Sequence, residues 1–324
     1  MKWMLDISIP EPERKLTYDD TLLLIGSCFT ANVGKALEEL KFRTLYNPTG
    51  ILFDPLSVAR HLQDYTQKKV YQPHDLFELN SIWNSWQHHS SFSSTDRMKS
   101  LELINSSIEK AHQHLQESNM LLITLGTAFS YRHQPDNIPV ANCHKAPAAA
   151  FIKHLLKVEE IVNALKPVIQ PLLESNKNLQ VVFTISPVRH IRDGVIENNR
   201  SKARLIEAVH QLVEENERLL YFPSYEIVID VLRDYRFYDA DLVHPNYAAT
   251  QHVFDLFCKH YMDKGTLNLM EDVYKLVLAK NHKPQHPDST AHQQFRKVQK
   301  QKLEDLKSKL PQLNWEEEEE GLST

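Results

Sequence analysis

Asp241 and His244 stand three residues apart in the stretch Asp241-Leu242-Val243-His244-Pro245-Asn246. At that spacing the carboxylate can fold back and accept the imidazole Nδ1 proton, which fixes the tautomer and leaves Nε2 free as a base. The same residues also suit an ordinary loop in which the aspartate makes a turn hydrogen bond. More than two hundred positions earlier, Gly26-Ser27-Cys28-Phe29-Thr30 presents a hydroxyl and a thiol side by side. If this segment opens a helix, its free amides and dipole favour negative charge above the turn, a suitable place for a nucleophile. Read alone, it is first a Gly-Ser turn with Ser27 or Thr30 as helix cap and Cys28 as a small buried hydrophobe. Together, the two segments supply orienter, base and nucleophile for acyl transfer.

Further candidates fall near predicted strand ends. Arg189 and His190 could clamp a substrate carboxylate or phosphate, or Arg189 could pair with Asp193 or Asp241 as scaffold. His144, followed by Lys145, carries the same two readings. His144, His190 and His244 show no helix-face spacing, so a metal site is not expected. Trp83, Trp86, His88 and His89 lie in SIWNSWQHHSSFSS, inside a long connection. Long loops are often lids and indole stacks well on sugar rings, so Trp86 and His89 are candidate substrate contacts; packing on the core is the alternative.

Elements that could position these residues follow from the hydrophobic pattern. The runs 21–25 (TLLLI), 120–125 (MLLITL), 179–185 (LQVVFTI) and 219–222 (LLYF) are apolar on both sides, as central parallel strands are, with 42–46 a weaker strand. Helical spacing predicts crossover helices over 31–40, 98–115, 151–165 and 201–218, the last capped by Ser201, and a further helix over 248–261. Five strands alternating with helices predict an α/β, three-layer, doubly wound parallel sheet, whose ligands sit beyond the carboxyl ends of the strands. Residues 1–260 form the expected catalytic domain. Residues 261–324 are expected to hold a polar linker at 281–287, a helical extension over 288–310 that packs on the body or on a twin subunit, and a disordered acidic tail.

Composition narrows the function classes. The 324 residues carry 37 Lys and Arg against 42 Asp and Glu, a net charge of −5 that the run Glu316–Glu320 alone accounts for. A charge-balanced body has no general attraction for nucleic acid or anionic membranes, and neither partner is expected. Three widely separated cysteines suggest neither a disulfide framework nor a structural zinc site. Absence of a secretory leader pattern and of long apolar runs points to a soluble cytoplasmic protein. Glycine is scarce, 7 residues where average usage would give roughly 23, so Gly26, Gly50, Gly126 and Gly194 are expected where the backbone turns sharply or approaches a ligand.

Five segments in order, namely Gly26 to Phe29, Asn47-Pro48-Thr49-Gly50-Ile51-Leu52, Val140-Ala141-Asn142-Cys143-His144-Lys145, Ser186-Pro187-Val188-Arg189-His190 and Asp241 to Asn246, resemble the signature blocks of the GSCFA domain family. That family is similar to the SGNH (GDSL-like) hydrolases. The resemblance covers roughly residues 15–260 and implies a flavodoxin-like sheet of order 2-1-3-4-5. It implies the first block as nucleophile turn, Gly50 as an oxyanion donor through its N–H, and Asp241 with His244 as orienter and base. An ungapped match sets Cys28 under the nucleophilic serine, and Ser27 takes the role only if the turn is one residue shorter. A thiol there would have a lowered pKa beside the helix end and His244, whereas a serine would need His244 to take its proton. The third hydrolase block is departed from at Gly126-Thr127-Ala128-Phe129, and Asn142 could supply the missing amide or form an Asx turn.

The expected activity is cleavage or transfer of an ester, with acylated carbohydrate as a possible substrate, no cofactor, and a possible homodimer through the C-terminal helix. A non-catalytic small-molecule or glycan binder on the same fold is the competing expectation.

Overall fold

The computed structural model describes residues 4–280, 282, 285, 286 and 289–322. The chain begins with β1 (Thr21–Gly26), α1 (Cys28–Glu39), β2 (Arg43–Tyr46) and α2 (Pro55–Gln67). A hairpin of β3 (Phe77–Leu79) and β4 (Ile82–Asn84) precedes α3 (Arg97–Glu117) and β5 (Met120–Leu125). Next come β6 (Phe129–His133), β7 (Ile138–Val140) and β8 (Phe151–Leu155), then α4 (Val158–Ser175), β9 (Gln180–Ile185), α5 (Val195–Val213) and β10 (Leu219–Phe222). The short α6 (Ser224–Glu226) runs into a π-helical segment, Ile227–Leu232. The chain continues through α7 (Tyr247–Tyr261), α8 (Lys264–Lys280), α9 (Thr290–Lys309) and α10 (Glu316–Gly321).

Five strands form one sheet in the order β10-β9-β5-β1-β2, all parallel. In sheet numbering this is 2-1-3-4-5, the expected order, with its switch point between β1 and β5. Every residue of β1 and β5 is buried because helices cover both faces. Leu23 and Ile25 pack with α2, α3, α4 and α5, while Leu22 and Leu24 pack with α1, α7, α8 and α9. This alternation is the period-two geometry of a strand filling two cores at once. Among the described residues no helix is long and apolar enough to cross a membrane.

Three expectations need correction. The stretch 151–165 is not one helix: Phe151–Leu155 pairs antiparallel with β6, which also pairs with β7, and the helix starts at Val158. Its aromatic and β-branched residues pair readily as strand, and Glu160 accepts the Lys157 N–H to mark the true helix start. Ser201 does not cap a helix; α5 begins at Val195, and the buried Ser201 hydroxyl instead accepts the Ala128 N–H at 2.7 Å.

The acidic tail is ordered. Glu318 is 1 % exposed and pairs with Lys41 at 2.6 Å and Lys280 at 3.2 Å, while Trp315 is buried beside it. The apolar stripe Leu303, Leu306 and Leu310 is buried against the chain's own body. Most of the expected linker, 281–287, lies outside the described residues. Glu318→Gln removes one charge from this clasp and takes the carboxylate from Lys41, while Lys280 keeps Glu317 at 2.7 Å. A loss of about 1–3 kcal/mol in chemical unfolding is expected, falling to a few tenths for the exposed Glu316.

Gly26 has φ +141°, and a Cβ there would stand 2.1 Å from the Thr124 carbonyl oxygen of β5. Both strand pairing and the turn into α1 therefore need this glycine. Gly26→Ala is expected to cost about 3 kcal/mol or more, read as a lowered Tm.

Candidate active site

The carboxyl ends of β1, β2 and β5 are joined by a web of hydrogen bonds. Asn47, just after β2, accepts the Gly26 N–H at 2.9 Å through its side chain and donates to the Ser27 carbonyl at 3.4 Å. The Gly26 carbonyl accepts from Leu52 N–H, and the Phe53 carbonyl accepts from Gly126 and Thr127. The turns after β1, β2 and β5 are thus fixed to one another.

Ser27 and Cys28 differ sharply in this frame. Ser27 is fully buried, and its Oγ accepts the Phe29 N–H as the N-cap of α1. Its oxygen is committed to the helix. Cys28, the first helical residue, is half-buried, and its thiol is free. Burial pushes that thiol up from its ordinary value; the backbone amides of Phe29 and Cys28 and the charge of Lys202 oppose this more weakly. The lowered thiol expected from the sequence is thereby corrected, because desolvation outweighs the helix end.

Asp241 and His244 pair as their spacing suggested. Asp241 Oδ2 lies 2.6 Å from His244 Nδ1, and Oδ1 accepts the backbone N–H groups of Val243 and His244 at 2.9 and 3.0 Å. Hydrogen bonds from the His244 backbone and ring, then from the Val243 backbone, hold the carboxyl down at about 2. Both side chains are about half exposed, leaving Nε2 accessible. No hydrogen bond joins His244 to Ser27 or Cys28 among the described residues.

The loop after β9 docks on this pair: Arg189 N–H donates to the Val243 carbonyl at 3.3 Å, and the Arg189 guanidinium lies 4.7 Å from the Tyr238 ring centroid. The scaffold pairing of Arg189 with Asp193 or Asp241 is not formed; Lys153 takes Asp193. His190 packs edge-on against Phe53 at 5.4 Å, and its buried Nε2 has no hydrogen-bond partner. Burial, helped by the charges of Lys202 and His244, holds its ring down at about 4, so it is neutral at physiological pH.

The remaining candidates are engaged structurally. Gly50 has φ +95° with His89 packed on it, and its N–H donates to the Asn47 carbonyl at 2.8 Å. That amide closes a turn and is not offered to an oxyanion. Asn142 Oδ1 accepts the His144 N–H at 2.9 Å, the Asx-turn alternative, and its amide reaches only Ser90 Oγ at 3.5 Å. His144 Nε2 bonds the Ser85 carbonyl at 2.7 Å, tying down the 85–89 segment. Trp86 stacks on Phe77 at 3.6 Å with His133 4.8 Å away, so its ring serves packing and not a sugar platform. His89 Nδ1 caps the following helical turn by accepting the Ser91 N–H. Among the described residues no three His, Cys, Asp or Glu side chains group as metal ligands.

One residue escaped the sequence reading. Lys202, on α5, is 1 % exposed, and its Nζ donates to the Gly126 and Ser186 carbonyls at 2.6 and 2.7 Å, bridging the ends of β5 and β9. Desolvation pulls it down from 10.5 to about 7. Between those values the unfolded chain binds a proton that the folded one has released, so stability rises with pH across this window. A rise of up to about 1.4 kcal/mol per pH unit is expected from this group. Lys202→Met should flatten it when urea midpoints are compared at neutral and alkaline pH.

Comparison with known proteins gives two family matches. The model of the GSCFA family matches residues 21–257, and that of the GSCFA domain protein, C-terminal domain, matches residues 273–323. No curated protein and no solved structure matches the chain.

Proposed function

The chain belongs to the GSCFA family, and from that premise we propose an SGNH-like enzyme that cleaves or transfers an ester by thiol chemistry. Cys28 attacks the acyl carbonyl, His244 moves the proton through Nε2, and Asp241 holds the imidazole. The observation carrying this reading is the pairing of Asp241 Oδ2 with His244 Nδ1 at 2.6 Å at the ligand edge of the sheet, with Nε2 unencumbered. Support for the thiol over the hydroxyl comes from Ser27 being buried and spent as a helix cap while Cys28 is reachable. The Cys28 amide, at the first helical position, is the favoured oxyanion donor, since Gly50 and Asn142 are engaged elsewhere.

Free cysteines suit a reducing compartment such as the cytoplasm. A small acylated molecule is the substrate class; the carbohydrate preference loses its support with Trp86 in the packing. A competing reading, ligand binding without turnover, is favoured by the raised thiol and by the missing hydrogen bond between His244 and Cys28. Purified chain offered short-chain aryl esters, thioesters and acetylated sugars decides between them. Turnover that disappears with Cys28→Ala and His244→Ala is the expected result, and wild-type rates at background on every donor would end the enzymatic reading.

A further inference from the structure

Three imidazoles from three parts of the chain are linked through residues 85–88: His61 from α2, His88 from the segment after β4, and His144 from the loop after β7. His61 and His88 are both 0 % exposed, with ring centroids 5.3 Å apart, and the Tyr71 ring stands 4.7 Å from His88. His61 Nδ1–H donates to the Ser57 carbonyl at 2.9 Å and His144 Nε2–H to the Ser85 carbonyl at 2.7 Å, while His88 Nδ1 lies 2.9 Å from Ser85 Oγ. The second nitrogen of each ring, His61 Nε2, His88 Nε2 and His144 Nδ1, is buried without a hydrogen-bond partner. A proton added there would create a buried N–H with no acceptor, and on two neighbouring rings it would set like charges side by side. Arg60 and Asp64 from α2, Lys69 just after it, and His144 face the pair. Asp64 is engaged elsewhere, its Oδ2 accepting the Tyr71 hydroxyl at 2.7 Å, and the Tyr65 hydroxyl is bound to Thr49.

We propose that His61, His88 and His144 form an acid-sensitive latch: uncharged, they hold residues 85–89 closed against α2 and the loop after β7, and on protonation they release that segment while the central sheet stays folded. The segment's own ties are few. The Trp86 carbonyl accepts the Ala141 and Asn142 N–H groups at 2.8 and 3.2 Å, and His89 N–H donates to the Thr49 carbonyl at 3.4 Å. Release lifts His89 from Gly50, in the turn whose Asn47 braces Gly26 and Ser27, so the change reaches the nucleophile turn. Burial holds all three rings below their ordinary value, His88 well below it; at His61 the charge of Asp64 opposes this more weakly. The opened segment thus binds protons that the closed one excludes, and closure weakens as pH falls below the ordinary value of about 6.5.

Hydrogen exchange of the full chain, followed by mass spectrometry from about pH 7.5 to about pH 5 and corrected for intrinsic exchange, tests this on peptides covering 85–89 and 141–142, with β5 as the core reference. Below about pH 6 the opening constant is expected to rise about a hundredfold per pH unit, the uptake of one proton each by His61 and His88, with His144 adding to it. Protection in β5 is expected to hold. His61→Gln and His88→Gln should each cut that slope by about tenfold per unit. A wild-type slope of about tenfold per unit or less, a slope untouched by either substitution, or loss of β5 protection in step with residues 85–89 overturns the latch. Should a variant fail to fold, the wild-type slope and the β5 comparison decide. The readout needs no substrate, so it stands or falls apart from the enzymatic reading.

Discussion

Replacing Cys28 with alanine is expected to lower acyl-transfer turnover by about 10⁴-fold or more, to the level set by binding and backbone donors alone. The neighbouring change, Ser27→Ala, should act differently in kind. It removes the cap that accepts the Phe29 N–H, costing about 1 kcal/mol of stability, and leaves turnover within a few-fold of wild type. The contrast follows from placement, one side chain turned into the fold and the other half open at the helix start. Initial rates with an aryl thioester, together with thermal unfolding of both variants, check it. A Ser27→Ala enzyme that is stable but inactive, beside an active Cys28→Ala enzyme, would transfer the nucleophile to the hydroxyl.

Asp241→Asn is the second large effect, a loss of about 10²–10⁴-fold in kcat with little change in KM. An amide in place of the carboxylate presents the wrong partner to Nδ1, so the imidazole turns or takes the other tautomer and Nε2 no longer accepts a proton. The carboxyl is held down at about 2, so it is ionised throughout any practical assay range. The stabilising contribution of this depressed group is present above its unfolded value and is lost only as pH falls through about 2. The kinetic deficit should therefore be constant between mildly acidic and alkaline pH. Steady-state rates for Asp241→Asn within a few-fold of wild type would show that Asp241 acts only as a loop tie, since an asparagine Oδ1 can still accept the Val243 and His244 amides.

The main sheet was legible because central parallel strands are apolar on both faces, so 21–25 and 120–125 stand out without periodicity. The Asp241–His244 pair was legible because its contacts are local in the chain. What failed was everything decided by distant partners. Lys202 lies in Arg200-Ser201-Lys202-Ala203-Arg204, which reads as a charged outer face; only the Gly126 and Ser186 carbonyls, brought from two other strands, explain its burial. Trp86 looked like an exposed platform until Phe77, nine residues earlier across a hairpin, covered it. The choice between Ser27 and Cys28 turned on which side chain the first turn of α1 buries, which adjacent letters do not disclose. The glutamate run read as solvated because Lys41, its partner, is nearly three hundred positions away.

That last contact ties synthesis to assembly. Lys41 follows the end of α1, and Cys28 occupies its start. Lys41 Nζ donates to the Asn314 carbonyl, pairs with Glu318 and lies 5.4 Å from the Trp315 ring centroid. Translation delivers residues 314–318 long after α1, when earlier segments have already begun to fold. The helix bearing the thiol is thus fastened at its far end by a stretch that emerges much later, and a nascent chain that has not yet reached it lacks that fastening.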